Sequence, residues 1–297
     1  RLFRLDDWLR ERLASDLETD VKALSERLSS YGITGFTDTS ATNTDDTAAL
    51  FADWRSQGLL RQRVMLMGGD QLCEGPLKIV LDEDALPPLP ELIRRLRRAR
   101  AAGRSLAFHC VTHIELLFAL SALDAVEQDR RDRIEHGAIV YDEVLGLLRE
   151  RGVSVVTQPG FLWQRGERYL QDLSGLEIDH LYRHAGLAAA GINVVVSSDA
   201  PYGPLNPWQV IDAASRRSTR EGKVIGRSER ITVEAALAGY LRQPDCLTAP
   251  PRSIAIGALA DMCVIQNPWR ECRDATVDGL VLATFCDGEQ VYQADDL

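Results

Sequence analysis

The chain has 297 residues, 45% of them hydrophobic, and a formal net charge of −10. That length supports a large core, and α/β barrels of this size often form one domain. The acidic total excludes a nucleic-acid binder of the usual basic kind, because the densest basic run, Arg94-Arg95 and Arg97-Arg98, reads as a solvated helix face.

Taken in chain order, Leu5–Leu13 carries a helical pattern, and Leu17, Val21, Leu24 and Leu28 predict a second helix. A strand is expected over 31–38, a helix over 47–57, a strand over 63–67, a loop over 68–76 and a strand over 77–81. Pro87, Pro88 and Pro90 lead into a helix over 91–102 that Gly103 closes. Strand 105–109 precedes helix 114–125, and strand 133–136 precedes helix 141–151 with Gly152 at its end. Strand 153–157 runs into the loop Gln158-Pro159-Gly160 and an irregular stretch, followed by helix 179–190 and strand 192–199. Seven strand–helix units in alternation imply a parallel sheet, and they fit a (β/α)8 barrel short of one strand. Short strands at 260–265, 279–284 and 290–292, with Asn267-Pro268 as a turn and Asp287-Gly288 as a hairpin signal, predict a small β appendage. The expected division is a barrel over 1–252 and the appendage over 253–297. The first residue is Arg1 and a helical pattern follows at once, so the chain reads as part of a longer protein.

Three apolar runs end on residues that can hold a metal: His109, His136 and Asp199. In a barrel of this type the strand ends form the active face. Two imidazoles and a carboxylate converging there suit zinc or another divalent cation. A lone strand-end histidine is more often a hydrogen-bonded core residue; two of them with an aspartate shift the balance to a metal site. Lys78, flanked by Leu77 and Ile79-Val80, is expected to be buried, which lowers a lysine pKa. Cys110 alternates to the opposite side of its strand from His109 and reads as core. Glu135 is expected to point away from His136 into a structural ion pair. His113, Gln158, Trp163 and Tyr202 are the candidates for lining a substrate pocket, against a bland reading of polar surface and packing. His180 and His184 are spaced to share a helix face, but Leu181 stands where a metalloprotease motif has glutamate, so a solvated pair is expected. The six cysteines are scattered, with no C-x-x-C pair, and read as reduced thiols of a cytoplasmic protein.

Asp199-Ala-Pro201 after its apolar run, Arg133-Ile-Glu-His136-Gly137, and Ala260-Asp261 with its apolar continuation after Gly257 resemble strands of the amidohydrolase superfamily, most of all its amidohydrolase-3 family. The resemblance runs from Trp8 to Tyr292. It implies a barrel with one or two divalent metals and a small β-sandwich. It further implies His109 and His136 as metal ligands, Lys78 as a carboxylated bridging ligand, and Asp199 as ligand and catalytic proton carrier. The family's first-strand His-x-His pair is absent, since all five histidines lie at 109, 113, 136, 180 and 184. At most one tightly held metal is therefore expected. The implied activity is hydrolysis of a C–N bond in an amide, N-acyl or cyclic amide. The alternatives are an incomplete barrel that binds without catalysing, and a deaminase of the same superfamily. The expected partner is a small-molecule substrate, with no nucleic acid and no membrane. A homodimer, or pairing with an upstream segment, would close the barrel.

Overall fold

Short runs of apolar and β-branched residues form the barrel wall, because such side chains pack well on a pleated surface that is covered on both sides. The computed structural model describes residues 20–266 and 279–294, so Leu5–Leu13, Leu17, Asn267-Pro268 and Cys272 lie outside the described residues. Seven strands run parallel: β1 (Gly35–Asp38), β2 (Arg63–Leu66), β3 (Leu77–Val80), β4 (Leu106–Cys110), β5 (Arg133–His136), β6 (Ser154–Thr157) and β7 (Val194–Val196). β1 pairs with β2, and β3 to β7 form a five-stranded sheet in sequence order. A single parallel bridge, Gly68 to Leu77, joins the two, and the Lys78 amide donates to the Gly68 carbonyl at 2.9 Å. Among the described residues no ladder joins β1 to β7.

Strand parity sorts the side chains. Ile79, Phe108, Cys110, Ile134 and Val155 pack outward against Leu92, Leu96, Leu116, Ala119 and Leu148. These come from α3 (Leu89–Ala101), α4 (His113–Asp124) and α5 (Leu145–Arg151), while α1 (Val21–Ser30) and α2 (Asp45–Ser56) precede β1 and β2. Lys78 opposite Ala107, and Val80 opposite His109 opposite Glu135, take the other parity and face the barrel interior. Cys110 is core, as its alternation requires. Thr112 caps α4 while Glu115 reaches back to the Thr112 amide, so a capping box fixes the turn that follows His109.

The expectation of an irregular stretch after Gly160 fails. Residues Gly160–Asp172 form a full helix, α6, followed by the single turns α7 (Gly175–Asp179) and α8 (Ala185–Ala189). Phe161 and Leu162 bury one face of α6 against Tyr182 and Ile225, which drives the helix despite its charged outer face. The helix expected over 179–190 is broken, so His180 and His184 share no helix face: His180 caps the end of α7 and His184 the start of α8. Two helices that the pattern did not anticipate, α9 (Pro207–Arg216) and α10 (Val233–Tyr240), pack on β7 through Val196, Val210, Ile211 and Ala236.

The tail is an antiparallel sheet in the order β10-β9-β8, from β8 (Met262–Ile265), β9 (Val281–Cys286) and β10 (Glu289–Gln293). Asp287 and Gly288 both take positive φ, 53° and 83°, as a tight hairpin turn demands. The sheet meets the barrel where Thr284 donates to the Ser29 carbonyl at 2.7 Å and where Arg63 pairs with Asp261 and Asp287. No helix among the described residues is long and apolar enough to cross a membrane.

Candidate active site

His109 sits near the end of β4 with interior parity, 9% exposed. His136 ends β5 and pairs in register with the outward-facing Cys110, so regular alternation would send its ring outward. Its backbone instead turns left-handed, with φ 71°, and Gly137 follows at φ 50°. The two imidazoles meet edge to face, ring centroids 4.5 Å apart at 77°. Phe161 stacks nearly parallel to His136, 6.4 Å away at 12°. A side chain at Gly137 would press on Val155 Cγ1 at 3.0 Å, so glycine suits this turn on two counts.

Burial sets the charge states. It lowers the His109 pKa to about 3, helped by His136 and Lys78. It lowers His136 to about 4, with Lys78 acting in the same sense and Glu135 and Gln158 opposing. Both rings are therefore neutral near pH 7, the form in which imidazole binds metals. Lys78 is 4% exposed, and burial pulls its pKa down, assisted by Arg133 and opposed by Glu135 and Asp199.

Glu135 corrects the sequence expectation in part. It does form a buried ion pair with Arg133, but it lies on the interior face, opposite His109 and within the field of Lys78 and His136. Burial pushes its carboxyl up, and the Arg133 and Lys78 charges outweigh that and hold it below its ordinary value.

Asp199 follows β7, where the Ser197 amide extends the ladder to the Thr157 carbonyl at 2.9 Å. Its φ is 53°, and its carbonyl accepts from the Gly203 amide at 3.0 Å. Burial raises its carboxyl to about 6, with Glu135 in the same sense and Lys78 and Arg165 opposing. Asp199 thus joins the group through Lys78 and Glu135. Among the described residues no three His, Cys, Asp or Glu side chains cluster closely enough to hold a cation. The arrangement offers two imidazoles beside a buried lysine, with the carboxylate as a separate neighbour.

The four candidate pocket residues part ways. Gln158 is 2% exposed, and its amide bridges β6 and β7 by donating to the Val156 carbonyl at 2.9 Å and Ser197 Oγ at 3.0 Å. Its Oε1 is buried with no partner of good hydrogen-bond geometry, and a looser contact with His136 raises that ring's pKa. Tyr202 is 37% exposed, and its carbonyl accepts from Arg165 at 3.2 Å. Trp163 lies on α6, not on a loop, under the Arg220 guanidinium at 4.5 Å. His113 opens α4 and belongs to a separate ladder: it meets Tyr141 at 4.7 Å, which meets His180 at 5.0 Å. Phe161 and Arg165 escaped sequence reasoning. Their four-residue spacing on one helix face was the available signal, hidden by reading that stretch as loop.

In comparison with known proteins, residues 4–292 match the model of the amidohydrolase family. The chain is 27% identical over 206 residues to the N-substituted formamide deformylase of Arthrobacter pascens, covering 66% of this chain and 38% of that protein. Among solved structures it resembles an uncharacterized metal-dependent hydrolase from Pyrococcus horikoshii OT3, with TM-score 0.64 and 20% identity over 77% of this chain and 56% of that one. It also resembles A. niger ochratoxinase, with TM-score 0.62 and 15% identity over 93% and 75% of the two chains. The chain thus spans little more than a third of the deformylase and just over half of the Pyrococcus protein.

Proposed function

The chain belongs to the amidohydrolase family, and from that premise we propose that it hydrolyses an amide-type C–N bond with water activated by one divalent cation. The observation that carries this reading is the pair of buried, neutral imidazoles of His109 and His136, 4.5 Å apart at the strand ends. Neutral nitrogen donors fit zinc or a similar borderline cation. Lys78 is the candidate third ligand, because its lowered pKa exposes free amine that can take up carbon dioxide and become an anionic carbamate. A cation held there supplies a Lewis acid and lowers the pKa of water to about 7.

The remaining chemistry falls to this chain's side chains. Water adds to the carbonyl carbon, the C–N bond breaks, and the nitrogen leaves with a proton. Asp199, with its carboxyl near 6, is matched to accept that proton and pass it to the leaving nitrogen near neutral pH. The buried Oε1 of Gln158 has an acceptor to offer a substrate N–H. The name of the formamide deformylase supports an N-acyl amide as the substrate class.

Elemental analysis after dialysis tests the reading. The wild-type chain should retain about one cation, His136→Ala none, and Asp199→Asn one. Among N-acyl amides, any turnover seen with wild type should be lost in Asp199→Asn. A wild-type chain that retains no cation, or an Asp199→Asn variant of undiminished turnover, would overturn it.

A further inference from the structure

Arg165 lies on α6, one turn after Phe161, and its guanidinium carbon stands 4.4 Å from the Phe161 ring centroid. Phe161 in turn stacks on His136 at 6.4 Å, so one aromatic ring separates this cation from the imidazole pair. Arg165 also donates from Nη2 to the Tyr202 carbonyl at 3.2 Å, which ties α6 to the loop that carries Asp199. A ring face and a neutral carbonyl therefore hold it in place without neutralising it. Among the described residues it makes no ion pair, whereas Arg168, on the same helix, pairs with Asp172 at 3.0 Å. A guanidinium has five N–H donors, and a single carbonyl leaves most of them available.

The charge reaches the site. Through Phe161 it stands next to His136, and through the Tyr202 carbonyl it stands next to the Asp199 loop. Arg165 is exposed, whereas Phe161 and His136 beside it are buried. A stacked, oriented guanidinium is matched to planar, two-point recognition of a carboxylate.

We propose that Arg165 anchors a carboxylate of the substrate, so that the amide cleaved is an anionic one. This deepens the hydrolase reading above and rests on it for the word substrate. The binding step is separable from the chemistry.

The test uses a probe with no C–N bond: benzoylpropanoate, in which a methylene replaces the amide nitrogen of an N-benzoylglycine. Its neutral counterpart carries a methyl ketone in place of the carboxylate. Dissociation constants for both come from NMR titration of the purified full chain at low salt. Wild type should prefer the carboxylate by about tenfold, the scale of a charge-assisted pair at an accessible site. Arg165→Met should abolish the preference, Arg165→Lys should keep part of it, and Arg168→Met should keep all of it. Equal binding of the two probes by wild type overturns the proposal. So does a preference that survives Arg165→Met or that Arg168→Met removes equally. A chain that binds with this preference but turns over no amide would sink the hydrolase reading and leave the anion site standing.

Discussion

Replacing Glu135 with Gln removes a negative charge that faces both Arg133 and Lys78 inside the barrel. All three residues are buried, at 4%, 5% and 4% exposure. Breaking a buried ion pair by removing one partner costs about 3–5 kcal/mol, because the other charge stays desolvated and unpaired. Unfolding entropy of roughly 2.1 cal/mol/K per residue gives about 0.6 kcal/mol/K for a chain of 297 residues. The expected fall in Tm is therefore about 5–8 °C, read by scanning calorimetry. The double replacement Arg133→Met with Glu135→Leu should cost less than Glu135→Gln alone, since it removes both charges and fills the space. The pH dependence has a definite sign. The Glu135 carboxyl is held below its ordinary value, so its stabilisation is full above the usual carboxylate range and is lost as pH falls through the folded value. The gap between wild type and Glu135→Gln should close only in acid. A Glu135→Gln variant within about 0.5 kcal/mol of wild type at pH 7 would refute the buried-network account, because that is surface behaviour.

Two further predictions concern the site residues. His136 is held to about 4, below the ordinary imidazole value of about 6.5, so the unfolded metal-free chain binds its proton first, and stability falls as pH drops through that window. His136→Asn, whose side chain tolerates the left-handed backbone, should remove about one proton's slope, ~1.4 kcal/mol per pH unit, from urea melts over that range. Asp199 works in the opposite sense, since burial raises it to about 6, and Asp199→Asn should steepen the acid loss; unchanged slopes in both variants would discard the charge assignments. Gly203→Ala would drive a Cβ into the Ser198 carbonyl and against Phe161 Cε1 at 3.3 Å. Backbone cannot rotate out of the way, so a loss of about 1–3 kcal/mol is expected in thermal unfolding, and a neutral variant would mean that the Asp199 loop is built differently.

The barrel was legible in the sequence wherever one face of a strand met one face of a helix. Ile79, Phe108, Ile134 and Val155 announce their strands locally, and Arg133–His136 has the bounds its apolar pattern predicts. Helix α6 was illegible because its reason lies far away in the chain. Gly166 looks like a breaker, yet it lets the helix press against Thr219 and Ile225, and a Cβ there would collide with the Thr219 side chain. Propensity weighs the glycine against the helix, and tertiary packing reverses that. The orientation of Glu135 was misjudged for a related reason. Glu135 was expected to point away from His136; strand register puts it inside opposite His109, and His136 joins it there only through its left-handed backbone.

His136 reaches the interior only because its backbone leaves the strand conformation, and Asp199 turns left-handed likewise in the loop after β7. A left-handed residue with a Cβ costs roughly 1–2 kcal/mol, so neither turn would persist without support. The support is visible on the far side of each. Gly137 continues the turn after His136 where a side chain would crowd Val155, and Phe161 stacks on the ring. Gly203 donates to the Asp199 carbonyl in a space that admits no Cβ. Both supports converge on α6: Phe161 stacks on His136 and also lies against Gly203, while Arg165, one turn on, binds the Tyr202 carbonyl beside it. The helix that local sequence hides is thus the element that holds two strained strand ends toward one another. A substitution that loosens its first turn, such as Phe161→Ala, should move His136 and Asp199 together, although the two residues belong to different strands.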